Sequence, residues 1–169
     1  MGFFDKLFGG KAKDENTSKF TNQSKTILMP LQGKVLAQAD IPDETFAQGI
    51  LGPGCGIEPT GDTVYAPFDG TVTQIATTLH AVGITSSEGT ELLIHVGMDT
   101  VDMKGQGFTA LVKEGQKVTA GTPLLKVDLD AIRAAGHPTA TAIIVTDGAD
   151  DVKMLAEGDV VPGTPLFKV

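Results

Sequence analysis

A chain of 169 residues with 41% hydrophobic and 20% charged residues has the composition of one globular domain that can bury a core, not of a disordered segment. Its net charge of −8 excludes the basic footprint that nucleic-acid binding needs and suits basic protein partners. With Cys55 as the only cysteine, neither an internal disulfide nor a cysteine metal cluster can form, and no apolar run reaches the roughly 18 residues of a membrane span.

The chain opens with Phe3, Phe4, Leu7 and Phe8 at helical spacing on one side and Asp5 and Lys6 on the other. Residues 1–8 are too few to hold a helix in water. On an anionic membrane the aromatic face would insert, helped by Lys6, Lys11 and Lys13; the alternative is a tail that docks nowhere. Residues 9–25 are polar and aperiodic and read as a flexible linker, ahead of a folded domain at 26–169. Asp5 argues against a secretory signal and Lys6 against myristoylation of Gly2. The expected location is cytoplasmic, with peripheral contact at the inner face of the membrane through residues 1–8.

From Thr26 onward the sequence reads as short β segments separated by turn signals, an all-β pattern. Met29-Pro30-Leu31-Gln32-Gly33-Lys34-Val35 matches Ala66-Pro67-Phe68-Asp69-Gly70-Thr71-Val72: a proline before a strand, a glycine, then β-branched residues. The segment from Glu114 to Val127 resembles that from Glu157 to Val169. Two such repeats predict a duplicated half-domain closing an antiparallel sandwich or barrel. Cys55 falls where a strand should begin and is expected to be a buried small hydrophobe. Residues 129–136 predict one short helix, started near Asp128 or Asp130 and closed by Gly136; 45–48 and 107–111 predict single helical turns. His137 reads as a solvated loop residue.

Two of the three histidines fall on one predicted hairpin. Residues 77–84 and 91–96 are strand formers, and Ser86-Ser87-Glu88-Gly89 is the turn between them. Folding about the Ser87–Glu88 bond pairs residues whose numbers sum to 175, which sets His80 opposite His95, with Thr78 on the same face. Directly opposed side chains lie roughly 4.5–5.5 Å apart at Cβ, so the imidazoles should touch. Paired neutral imidazoles suit either metal binding, which asks for three or four ligands, or covalent catalysis, in which one ring attacks and the other hydrogen-bonds the group received.

Thr78-Leu79-His80, followed by Glu91-Leu92-Leu93-Ile94-His95-Val96-Gly97-Met98-Asp99-Thr100-Val101, closely resembles the glucose-type enzyme IIA component of the bacterial sugar phosphotransferase system. Further matches are Ile41-Pro42-Asp43 before Phe46-Ala47, Pro59-Thr60-Gly61, Ala66 to Val72, and Lys104 to Phe108. The resemblance spans roughly 26–169. Ala76, Val82 and Leu93 stand where other members often carry the phenylalanines of an apolar docking ring, so the resemblance implies a smaller, still apolar, docking surface here.

The resemblance implies an antiparallel β-sandwich with duplicated hybrid-motif character and a few short helices. It implies a phosphotransferase component that works through a covalent phosphohistidine: His95 accepts a phosphoryl group from the phosphocarrier HPr and passes it to a IIB domain for sugar uptake. His80 stabilises the phosphoryl group, Thr78 orients His80, and the Gly97 carbonyl orients His95. Asp43 and Asp99 would recruit arginines of the partners, with Phe46, Ile50 and Leu51 as the apolar part of that interface. No cofactor or metal is required; zinc is expected at His80 and His95 only in an intermolecular site with a regulatory target protein. Two alternatives share parts of the pattern. A biotinyl or lipoyl carrier would use Lys104 within Met103-Lys104-Gly105, and a lysostaphin-like zinc endopeptidase would need a histidine where Gly97 stands.

Overall fold

The computed structural model describes residues 19–169, so the aromatic leader 1–8 and linker residues 9–18 lie outside the described residues. The strands are β1 (Thr26–Leu28), β2 (Gly33–Leu36), β3 (Gly54–Pro59), β4 (Thr63–Tyr65), β5 (Gly70–Ile75), β6 (Ala81–Ser86) and β7 (Glu91–His95). They continue with β8 (Phe108–Ala110), β9 (Lys117–Val118), β10 (Pro123–Val127), β11 (Thr141–Asp147), β12 (Lys153–Met154), β13 (Asp159–Val160) and β14 (Pro165–Lys168). Among the described residues two short α-helices, α1 (Glu44–Ala47) and α2 (Leu129–Ala134), interrupt them. No helix among the described residues is long and apolar enough to cross a membrane.

The antiparallel sheets carry an internal two-fold symmetry that the repeats foreshadowed. The largest has the order β13-β2-β3-β11-β7-β6-β5-β9, and two smaller ones run β1-β14-β12 and β4-β10-β8. Superposing Gly33 on Gly70 makes the large sheet a palindrome: Gly33 pairs with Val160 and Pro59, as Gly70 pairs with Val118 and Ser86. Around the axis, Leu28 N–H donates to the Pro67 carbonyl at 3.1 Å and Tyr65 N–H to the Pro30 carbonyl at 2.8 Å. Met29 N–H bonds the Thr164 carbonyl at 2.7 Å where Ala66 N–H bonds that of Thr122 at 2.8 Å. Each repeat thus satisfies the backbone of the proline-containing segment it crosses.

The axis passes between β7 and β11, whose register sets Ile94 opposite Ile143 and His95 opposite Ala142. Alternation sends Leu92, Ile94, Ile143 and Val145 into the main core. Ala142 and Ile144 face the other way, into a second cluster with Ile41, Phe46 and Met98. Burial on both faces explains the unbroken apolar run Ala142–Val145. Each fully buried aliphatic side chain there contributes roughly 1.5–3 kcal/mol.

Four local expectations are corrected. The hairpin β6–β7 pairs Ala81 with His95 and Thr85 with Glu91, a register summing to 176, so His80 lies opposite Val96 and outside the strand. The loop has three residues, 87–89, closed by Ser86 N–H to the Thr90 carbonyl at 2.8 Å and by Gly89 at φ +95°; one extra loop residue shifts the pairing by one. Within 107–111, residues 108–110 form β8 rather than a helical turn, because β10 supplies backbone partners, and the unpredicted 3-10 turns are Gln38–Asp40 and Thr100–Met103. Residues 19–25 of the expected linker are held against the domain. Phe20 stacks on Tyr65 with centroids 5.5 Å apart, Asp69 N–H bonds Asn22 Oδ1 at 2.8 Å, and the Glu88 carboxylate accepts from Ser24 Oγ and Lys25 N–H. Finally, Val82 is fully buried, so it belongs to the core and not to a docking surface.

The helix expectation at 129–136 agrees with α2, where the Asp128 carboxylate accepts from Ala131 N–H and Gly136 has φ +86°. Cys55 lies in β3 at 1% exposure, and burial pushes its thiol pKa up to about 12. A Cβ at Gly89 would meet nothing within 4 Å, so Gly89→Ala tests backbone strain alone. We expect a loss of about 1–2 kcal/mol in denaturant-measured stability with unchanged His80 and His95 resonances; an unaltered stability would refute the positive-φ loop.

Candidate functional site

The two histidines meet although the strand register is not the one that led there. Leu79 takes φ +64°, a conformation costly for a leucine, with its N–H bonded to the Ala76 carbonyl at 2.8 Å. This bend lies just before His80, and β6 begins immediately after that residue, at Ala81. The His80 ring turns to meet the edge of the His95 ring, with centroids 4.8 Å apart and planes at 82°. The His80 carbonyl accepts Val96 N–H at 2.8 Å, which ties the two residues' backbones together as well.

Each ring is fixed through Nδ1. His95 Nδ1–H donates to the Gly97 carbonyl at 2.9 Å. Because a carbonyl only accepts, this bond puts the hydrogen on Nδ1 and leaves Nε2 of the neutral ring with its lone pair free. Thr78 Oγ1 lies 2.8 Å from His80 Nδ1. A hydroxyl donating there leaves His80 with Nε2–H as its outward donor. Gly97 has φ +75°, and a Cβ on it would sit 2.5 Å from Thr100 Cγ2 and 3.1 Å from the Pro138 carbonyl oxygen. Only glycine can hold that carbonyl where His95 needs it.

Burial sets the charge state. His80 is 8% exposed and His95 half-buried. Desolvation lowers the pKa of His95 most, followed by the facing His80; the Gly97 hydrogen bond and the Asp43 charge oppose this. Desolvation likewise lowers His80, against an interaction with the Thr78 backbone that raises it. Both shifts favour the neutral ring, and the His95 ring then carries an unprotonated Nε2.

Of the residues expected to meet partners, Asp43 is the N-cap of α1, accepting from Thr45 N–H at 2.9 Å and Phe46 N–H at 3.3 Å. Phe46 is corrected: at 7% exposure it is not a surface contact but a wall of the site, its ring 4.9 Å from that of His95. Its inward turn follows from Ile41, Met98, Ala142 and Ile144, the apolar group it covers. Ile50 and Leu51 are exposed, at 67% and 42%, on the loop after α1. Asp99 is exposed in the turn after His95, at φ +60°.

Two residues escaped the sequence reading. Gln38 pins the Ile50–Leu51 loop, donating to the carbonyls of Phe46 at 2.9 Å and Gly52 at 2.8 Å while accepting Gly54 N–H at 3.2 Å. Val101 adds an apolar side chain at 52% exposure beside Asp99. Neither carries a local signal, since both depend on contacts made after folding. Among the described residues no three His, Cys, Asp or Glu side chains converge to hold a metal ion. Lys104 follows the Thr100–Met103 turn at φ +55°, away from any hairpin tip of the kind that presents a carrier lysine.

Comparison with known proteins agrees with this geometry. Residues 25–151 match the family model described as phosphoenolpyruvate-dependent sugar phosphotransferase system, EIIA 1. A glucose-specific EIIA component of Halalkalibacterium halodurans is 46% identical over 146 residues, covering 85% of this chain and 83% of that one. A beta-glucoside-specific EIIBCA component of Bacillus subtilis is 48% identical over 118 residues, covering 70% of this chain but 19% of the longer protein. The glucose permease IIA of Mycoplasma capricolum has the same fold, with a TM-score of 0.81 and 31% identity over 89% of this chain and 98% of that one. The chain belongs to the EIIA 1 family of the phosphoenolpyruvate-dependent sugar phosphotransferase system and is a phosphotransferase component of sugar uptake.

Proposed function

We propose that His95 Nε2 is the phosphoryl acceptor, charged by phospho-HPr and discharged to a IIB domain. The observation that carries this is the His95–Gly97 hydrogen bond, which leaves Nε2 unprotonated beside a second imidazole. As the bond from phosphorus to Nε2 forms, the bond to the donor's histidine breaks and its electron pair returns to the donor ring. No proton need leave His95, because Nδ1–H stays on the carbonyl. The transferring group is loose and spreads its charge over three oxygens, so positioning and donors matter most. His80 Nε2–H supplies the nearest donor, aimed by Thr78. No metal ion is needed for this transfer.

Asp43, Asp99, Ile50 and Leu51 form the partner-facing rim in this reading. Carboxylates repel a bare phosphate, so they serve better in pairing with arginines of HPr and IIB. The IIB partner is supported by relatives that carry EIIA and EIIB in one chain. The protein acts in the cytoplasm, where phospho-HPr is made, with residues 1–8 as a contact to anionic lipid.

His95→Ala should take up no phosphoryl group from phosphoenolpyruvate, enzyme I and HPr, read by intact mass at neutral pH, while its circular dichroism is unchanged. A phosphorylated variant would place the nucleophile elsewhere. His80→Gln should still be phosphorylated but should donate to IIB at least about tenfold more slowly, since an amide cannot take up charge during transfer. Normal donation with lost acceptance would reverse the assigned roles.

The depressed pKa sets a pH window. Since the folded-state pKa of His95 lies below its usual 6.5, stability from this group is present above 6.5 and lost as the pH falls through the lower folded value. Ring nitrogen NMR should give a midpoint below 6.5 for His95, with phosphoryl acceptance undiminished until the pH is below 6.5. A midpoint at or above that value would contradict the burial argument.

A further inference from the structure

We infer that Thr100 is a positioning residue for phosphoryl transfer, acting on His95 through the Gly97 carbonyl. Thr100 is fully buried, which is unusual for a hydroxyl side chain in a turn at the edge of a site. Its Oγ1 donates to the Val96 carbonyl at 2.6 Å, and its methyl lies where a Cβ of Gly97 would go. The peptide between Gly97 and Met98 is held at both ends: its carbonyl accepts from His95 Nδ1 at 2.9 Å, and its N–H donates to the Pro138 carbonyl at 3.0 Å. The preceding peptide is held by the Thr100 hydroxyl. Two consecutive peptides are thus pinned in a turn that contains Gly97 and Asp99 at positive φ, so the carbonyl facing His95 cannot swing away without breaking a buried bond.

The consequence is chemical as well as structural. A neutral imidazole chooses between Nδ1–H and Nε2–H according to the acceptor offered. Only the first form leaves Nε2 able to attack. If the Gly97 carbonyl wavers, part of the population holds the proton on the nitrogen that must react. Thr100 touches neither ring, which separates its role from that of Thr78. The inference rests on His95 Nε2 being the acceptor, but its first readout needs no phosphoryl donor.

Thr100→Val keeps shape and removes the hydroxyl, whereas Thr100→Ser keeps the hydroxyl and loses a methyl. In long-range proton–nitrogen spectra recorded above the titration range, the unaltered protein and Thr100→Ser should show His95 as the Nδ1–H form alone. Thr100→Val should mix in the Nε2–H form and accept phosphoryl from HPr about tenfold more slowly, the lower end of what loss of a partner orienting a histidine costs. An unmixed tautomer with an undiminished rate in Thr100→Val, or equal losses in Thr100→Ser, would overturn the inference. Should Thr100→Val not fold, Thr100→Ala against Thr100→Ser makes the same comparison. An unaltered protein that holds the Nδ1–H form yet takes no phosphoryl group would refute the proposed acceptor and leave the role of Thr100 in fixing the tautomer intact.

Discussion

The antiparallel pairing of β7 with β11 is the constraint on which the rest of the molecule depends. It is the seam between two similar halves, with Ile94 set against Ile143 across the axis. It is also covered on both faces, by the sandwich core within and by the Ile41–Phe46 cluster without. Strands buried on both faces cannot slip by one residue without exchanging their two apolar sets. The seam therefore fixes where His95 emerges: at the end of β7, opposite Ala142, where the outer cover runs out.

Symmetry then relates the half that carries the two histidines to the half that is covered. Val82 pairs with Ile94 as Cys55 pairs with Ile143, so the counterparts of His80 and His95 are Pro53 and Ile144. Ile144 is fully buried beneath Ile41 and Phe46, which belong to the segment inserted between β2 and β3. The same Phe46 reaches across to the His95 ring. One insertion covers Ile144 in one half and walls His95 in the other. The strained Leu79 and the glycine turn at Gly97 are local departures from the regular scaffold, and they fall where reactive groups must be aimed.

Electrostatically the site separates neutral rings from a charged rim. Burial lowers the pKa of both histidines, and the facing His80 lowers that of His95 further, so His95 keeps its Nε2 lone pair near neutral pH. Negative charge sits farther out, on exposed Asp99 and on Asp43 at the start of α1. Among the described residues no carboxylate is hydrogen-bonded to either ring.

The sequence by itself determined the all-β class, the duplication, the helix at 129–136 and the proximity of His80 and His95. Each of these rests on signals local in the chain: proline–glycine punctuation, a capped apolar stretch, and two histidines flanking a turn. The pairing of His80 with His95 was legible, but its register was not. A three-residue loop and a two-residue loop look alike in Ser86-Ser87-Glu88-Gly89, and only cross-strand packing of Val82 and Ile84 against Ile94 and Leu92 chooses between them. Tertiary structure alone decided that Phe46 turns inward while Ile50 and Leu51 stay out, that residues 19–25 lie against the domain, and that Thr100 is buried. A side chain's burial depends on what the rest of the chain brings to it, and for Phe46 that partner arrives from β11, nearly a hundred residues later in the sequence.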